Sequence, residues 1–263
     1  MTAKELLDAG KLIAAVEQLN HDVRTHPADA QLRTFLFELL CFSGDYQRAE
    51  RQLDALAQLD SERAAAIGIY RQILSAERTR LGVNAGGGLP IFLTEPPAFI
   101  SGYLAALQRL RDAKAAEAHA LLAEAIEAQP AVSGNADGRP FRDLSDADPF
   151  LAPFLEVIID GRYAWVPFIQ IKSIRIEAPA RLRDLLWARA TIDTISGVTN
   201  SVLLPVLYSG SSHHPDEQVR LGRATDWQSV GENLVRGRGQ RMFLTDDDEK
   251  PMLQCRTLDF KIS

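Results

Sequence analysis

Five positions near the start of the chain recur after 34 residues: Leu6, Gly10, Ala15, Leu19 and Pro27 are followed by Leu40, Gly44, Ala49, Leu53 and Ser61. Four of the five recur as the same residue. Small residues stand where two helices must approach closely. Leucines fill the space between helix pairs, and the Pro or Ser position closes the second helix. A unit of this length cannot bury its own apolar face, so neighbouring units must stack on it. The stack leaves a groove of the kind that usually holds a peptide, so the pattern points to binding before catalysis.

The period is that of a tetratricopeptide (TPR) unit, two antiparallel helices and a turn. Residues 2–9 and 12–25 are expected to form one pair, 29–43 and 46–59 a second, and 62–82 a longer fifth helix. Leu32, Phe35, Leu36, Leu39 and Leu40 make a wide apolar stripe at spacings of three and four. Ser43-Gly44-Asp45 ends the third helix: Gly44 tolerates the left-handed geometry of a C-cap and Asp45 is placed to cap the next helix. Residues 98–112 and 114–129 form a last pair, in which Ala118, Leu122, Ala125 and Pro130 repeat the offsets of Ala15, Leu19, Asp22 and Pro27. This reads as a degenerate third repeat capping the array. Between them, residues 83–97 hold three glycines and three prolines and cannot continue a helix. Ile91, Phe92 and Leu93 are too apolar to dangle, so this loop is expected to pack back on the helices.

After residue 130 the grammar changes. Residues 131–147 are polar and turn-rich and read as a linker, followed by a short helix at 148–155. Then come short runs rich in β-branched and aromatic residues: Glu156–Asp160 and Tyr163–Pro167 around Gly161, Thr191–Ile195 and Ser201–Leu207 around Ser196–Asn200, and Gln240–Leu244 and Met252–Phe260 around the acidic run 246–251. Each reads as a hairpin, and Ile171, Ile174 and Ile176 mark a further strand. The fold class is therefore α+β. An all-α TPR-like repeat domain (1–130) precedes a mainly antiparallel β domain (148–263), with a small twisted or barrel-like sheet.

Several function classes recede on composition. A net charge of −6, with 13 basic and 17 acidic residues in 1–132 and 16 and 18 in the rest, argues against a nucleic-acid partner. No stretch approaches the apolar length of a membrane helix, and Met-Thr-Ala-Lys-Glu-Leu-Leu lacks the core of a signal peptide, so a cytoplasmic location is expected. Cys41 and Cys255 lie far apart, without a CxxC or a paired histidine, and read as buried free thiols.

Candidate chemistry is sparse. Gly86-Gly87-Gly88 lacks the Lys-Ser/Thr and the preceding strand of a phosphate loop. His213 and His214 with Asp216 and Glu217 would be a metal cluster if they converged, but adjacent histidines tend to point apart, and a solvated loop is the plainer reading. The Asp246–Glu249 run reads as a charged hairpin tip. No Gly-x-Ser-x-Gly and no paired-carboxylate context is present, so neither an enzymatic activity nor a cofactor is expected. Every tryptophan, Trp165, Trp187 and Trp227, falls in the second half with Tyr163, Phe168, Tyr208 and Phe243. Most belong to the β core, and one or two can form a surface that receives a partner helix.

The stretch Phe35-Leu-Phe-Glu-Leu-Leu-Cys-Phe-Ser-Gly-Asp-Tyr-Gln-Arg-Ala-Glu-Arg-Gln-Leu53 resembles the N-terminal signature of the ImpE proteins, also called SciE-type or TagJ. The likeness continues through Asp160–Phe168, Leu182–Trp187, Leu203–Tyr208, Leu221–Trp227 and Gly239–Leu244, in the family's order. The loop Ser209–Glu217, with its paired histidines, departs from the family pattern.

The resemblance implies a cytoplasmic, non-enzymatic adaptor of a bacterial type VI secretion system. Such an adaptor binds a helix near the N-terminus of the small contractile-sheath subunit (TssB) and is linked to the ClpV ATPase that disassembles the sheath. Helix-in-groove docking would carry the binding. The receiving surface is expected at the repeat groove, Phe35, Glu38, Leu39 and Phe42, or at the seam between the halves near Trp165 and Trp187. Two rival readings remain open here: a metal-dependent hydrolase centred on the second half, and a scaffold that dimerises through the repeats.

Overall fold

The computed structural model describes residues 1–60, 62, 64–231, 233–246 and 248–261. Helices come first: α1 (Ala3–Asp8), α2 (Leu12–Thr25), α3 (Ala30–Phe42), α4 (Tyr46–Leu59) and α5 (Ala64–Asn84). A loop carrying the short strand β1 (Ile91–Phe92) leads to α6 (Ile100–Arg111) and α7 (Ala115–Ala128). These match the predicted helices to within a few residues at each end. None is long and apolar enough to cross a membrane.

The caps follow from local chemistry. Thr2 and Glu5 form a reciprocal capping box on α1, and Asp29 caps α3 by accepting from Gln31 and Leu32 amides. Asp45 accepts from the Arg48 amide as its sequence position implies, and Gly44 takes φ +71° just before it. Ser61, the repeat counterpart of Pro27, lies outside the described residues.

The rest is mainly β: β2 (Gly134–Ala136), β3 (Arg139–Phe141), β4 (Leu144–Asp146), β5 (Phe154–Ile159), β6 (Arg162–Pro167), β7 (Ile171–Ile176), β8 (Trp187–Thr194) and β9 (Thr199–Pro205). A one-turn helix α8 (Glu217–Arg220) precedes β10 (Thr225–Gly231), β11 (Leu234–Gly239), β12 (Met242–Thr245), β13 (Asp248–Pro251) and β14 (Thr257–Phe260). The main sheet has nine strands in the order β1-β6-β5-β9-β8-β7-β14-β2-β3, antiparallel except for β1 against β6. Two small sheets, β10-β11 and β13-β12-β4, complete it. The chain is α+β, and buried side chains from helices and strands form one continuous core.

Two predicted hairpins, β5–β6 and β8–β9, are present in register. The third is different. The acidic run itself supplies β13, which returns on β12 around Asp246, while a single turn at Met252–Gln254 redirects β14 to β7 and β2 of the main sheet. Residues 131–147 also depart from the expected linker: they carry β2, β3 and β4, tied to β14 and β12. The reason lies in Asp137-Gly138, whose φ values of +50° and +83° make a tight hairpin turn. Asp137 also accepts from the Arg256 and Thr257 amides and pairs with Lys250. The short helix expected at 148–155 is instead a series of turns that buries Phe150 and Leu151 and runs straight into β5. The 83–97 loop does pack back, with Ile91, Phe92 and Leu93 against the core.

Candidate functional site

The last half of α3 decides where a partner can go. Leu36, Phe37, Glu38, Leu39, Leu40, Cys41 and Phe42 are all buried, seven consecutive residues that cover every side of a helix. An outer helix of a stack keeps a solvent face; this inner one has none, because α2, α4, α5 and side chains of the β half close round it. Phe42, Tyr46, Glu77 and Arg80 line one small pocket with Leu186, Trp187, Leu207 and Tyr208. The Trp187 indole donates to Glu77 (2.9 Å), and Arg183 lies 3.7 Å from Glu38 with its guanidinium 5.4 Å from the Tyr70 ring centre. At the helix turns, Arg223 donates to the Leu7 and Asp8 carbonyls and the Ile13 amide donates to Glu217. The inner face of the repeats is therefore filled by the chain itself.

Behind that contact lies a buried charge network. Arg80 of α5 grips Glu156 of β5 through Nε–Oε1 (3.0 Å) and Nη2–Oε2 (2.9 Å) and also donates to the Leu207 carbonyl. Arg241 bridges Glu156 (3.0 Å) and Asp146 (Nε–Oδ2 3.0 Å). Arg236 reaches Asp148 (2.9 Å) and the Asn84 side chain, which itself donates to Glu156. Tyr163 donates to Glu156, and Tyr208 to Asp146. Burial would raise the Glu156 carboxyl, but Arg80 and Arg241 outweigh it and hold the group at about 2. For Asp146, burial wins over Arg241 and the group is pushed up to about 6. No buried side-chain nitrogen or oxygen among the described residues lacks a hydrogen-bond partner. Such a network, with each charge answered by another, fixes the helices and the sheet in one arrangement.

An open groove runs beside the filled face. Ile69, Tyr70, Ile73, Trp187 and Leu203 line it together with Arg181, Arg183 and Arg189. It continues, past Ile69, Ile73, Arg189 and Leu203, into a cleft of about 570 Å³ bounded by Gln72, Asp160, Gly161, Glu177 and Ser201. Ile69 is 56% exposed at its mouth. One wall is the first half of α5, and the floor is the outward face of β8 and β9, where Arg189 pairs with Leu203.

Of the predicted partner-binding positions, Trp187 lines this groove and Glu38 touches it through Arg183. Phe35 is half-buried one helical turn before Glu38. Leu39, Phe42 and Trp165 are fully buried, with Trp165 stacked on Phe154 at 4.3 Å. Sequence reasoning did not single out Ile69 or the arginines, although Ile69 breaks the polar pattern expected of the outer side of α5.

A relative from Pseudomonas aeruginosa, the type VI secretion system accessory component TagJ, is 40% identical over 261 residues, 99% of this chain and 92% of that protein. The family model described as ImpE protein matches residues 138–259. This chain belongs to the ImpE/TagJ family of type VI secretion accessory proteins. Its fold is also that of a Vibrio parahaemolyticus protein solved by X-ray crystallography, with a TM-score of 0.91 over 98% of this chain and 97% of that one at 22% identity.

In this ImpE/TagJ chain the paired histidines do not converge. His214 Nε2 lies 3.0 Å from Asp226 and its Nδ1 takes the Asp216 amide, while His213 is exposed. Among the described residues no group of three His, Cys, Asp or Glu is placed to hold a metal ion. The helical half of this chain supplies α5 and its β half supplies β8 and β9, so the groove needs both.

Proposed function

We propose that this chain is an adaptor that captures a helix of the small sheath subunit of a type VI secretion system, the TssB-like protein, and thereby influences how the ClpV ATPase handles the sheath. The observation that carries the reading is the open apolar groove beside α5, in a family member whose repeat face is already occupied by its own β half. A partner that docks on the inner repeat face has to displace Trp187 and Arg183 from Glu77 and Glu38. The seam groove asks for no such displacement. Trp187 then lines the docking surface, Glu38 reaches it through Arg183, and Leu39, Phe42 and Trp165 stay in the core.

The test is calorimetric titration of the full chain with a peptide spanning the N-terminal helix of the sheath subunit. Saturable binding at tens of micromolar or tighter is expected. Silence over that range removes the reading.

A further inference from the structure

Two sheet edges in this fold carry a proline: Pro140 in β3, at the end of the nine-stranded sheet, and Pro251 in β13, at the end of the three-stranded one. A proline has no amide to offer an incoming strand, which blunts an edge. β10 is built differently. It runs for seven residues without proline or lysine, and among the described residues β11 is the strand it pairs with. Asp226, Gln228 and Ser229 are exposed along it.

The pairing with β11 fixes where the peptide groups of β10 point. Gly237 and Gly239 turn theirs away from β10: the Gly237 amide donates to Asp148, the Gly239 amide to Ser211, and the Gly239 carbonyl accepts from the Tyr208 amide. Trp227 and Thr225 stand opposite these two glycines, so their own amides and carbonyls face the other way, out of the sheet. Ser229, two residues on, repeats that orientation. The Trp227 amide meets the neighbouring Asp226 carboxylate, which His214 also holds at 3.0 Å and which is 57% exposed. An extended strand is the occupant that such an edge satisfies.

The side chains select which strand. Thr225-Asp226-Trp227-Gln228-Ser229 reads almost alike in both directions about Trp227, with hydroxyls at the ends and a carboxylate and its amide analogue inside. Two such strands related by a twofold axis at Trp227 run antiparallel. Thr225 then lies across from Ser229 of the second copy, Asp226 across from Gln228, and Trp227 across from itself. Hydroxyl meets hydroxyl, carboxylate meets amide donor and indole meets indole, each a favourable cross-strand pair. A slip of two residues one way would set Asp226 against Asp226, a like-charge pair that disfavours that register.

We infer that β10 is a self-pairing edge: a second copy of this chain lays its own β10 antiparallel on it, joining two β10–β11 hairpins into one four-stranded sheet across a twofold axis. The interface is isologous, so one strand supplies both sides. The Trp227 amide exchanges the Asp226 carboxylate for the Trp227 carbonyl of the second copy, and Asp226 gains the Gln228 amide. β10 shares no residue with the seam groove, so this pairing is independent of the adaptor reading. A strip this narrow makes a weak dimer.

The test is sedimentation equilibrium of the full chain from low micromolar to millimolar concentration, with Gln228→Asp and Gln228→Lys beside wild type. Gln228 is exposed, so thermal melts of both variants should match wild type. The wild-type mass is expected to climb from 29.0 kDa towards twice that value. Gln228→Asp places a carboxylate across from Asp226 on both sides of the axis and should weaken the dimer by about fivefold or more, while Gln228→Lys should tighten it by a similar factor. Opposed shifts at one exposed position are not what a merely structural effect produces. Register is read by oxidising an equimolar mixture of Asp226→Cys and Gln228→Cys, which should form more disulfide dimer than either variant by itself. Absence of that excess overturns the register. A mass fixed at 29.0 kDa over the whole range overturns the proposal, as does a dimer indifferent to both substitutions at Gln228. Protection of the Thr225–Ser229 amides from exchange that appears only on adding the sheath subunit would give the edge to a partner's strand and overturn it as well.

Discussion

Arg80 on the fifth helix and Glu156 on the fifth strand meet in a two-point ion pair, 3.0 and 2.9 Å, with almost no exposure of either side chain. They are 76 residues apart in sequence. The pair joins the helical half to the sheet. Removing one partner leaves a buried charge without its counter-ion. Arg80→Ala is expected to lower stability to urea by about 3–5 kcal/mol. Replacing both members with apolar residues of similar size should recover much of the loss. Urea unfolding of the two variants against wild type measures this.

The same network sets a pH signature with two limbs. Glu156 has a native value of about 2, well below its ordinary 4.5. Its stabilising contribution is complete above the unfolded value and is lost as the pH falls from about 4.5 towards 2. Asp146 is raised from 3.8 to about 6, so its sign is opposite: its contribution is full below about 4 and fades as the pH rises towards 6. Subtracting Glu156→Gln from wild type in denaturant titrations should expose a rise in stability between pH 2 and 4.5. Subtracting Asp146→Asn should expose a fall between pH 4 and 6.

Gly10 shows how closely the repeat turns meet the β half. It holds φ +76°, and a Cβ there would lie 1.9 Å from Gln218 Nε2. Gly10→Ala is expected to cost about 1–2 kcal/mol from the left-handed backbone alone, plus the displaced glutamine. Adding Gln218→Ala should return the second part and leave the first. A double-mutant cycle by thermal or urea unfolding separates the two.

Much of this architecture could be read from the residues. The 34-residue interval and the Gly44-Asp45 punctuation located the first helices, and Gly161 located the β5–β6 turn. Two things were hidden. The Asp137-Gly138 turn sat inside a polar stretch that reads as a linker, because β2 and β3 are three residues each and draw their stability from β14, more than a hundred residues away. The occupied repeat face was hidden too. Phe35, Leu39 and Phe42 make an apolar stripe whether it meets a foreign peptide or the chain's own Trp187, and only long-range pairing tells the two apart. Asp146, Glu156 and Arg241 look like ordinary surface charges in sequence, since each is far from its partners, and Glu77 and Arg80, three residues apart, look like an exposed helix pair.

The thiols give a simple check of core integrity. Burial pushes the Cys41 thiol well above its usual range and the Cys255 thiol up to about 11. Thiolate is the reactive form, so a disulfide reagent at pH 8 should label neither within minutes in the native protein and both after denaturation. Fast labelling of Cys41 in Arg80→Ala would report that the two halves have separated.

The most direct measurement is hydrogen exchange of the full chain with and without the small sheath subunit. The adaptor account predicts new protection in the first half of α5, around Ile69, and slower exchange in the Arg181–Trp187 segment, with no loss of protection in α3. Protection confined to the outer helices α2 and α4, or opening of α3 as a partner displaces Trp187, would contradict it.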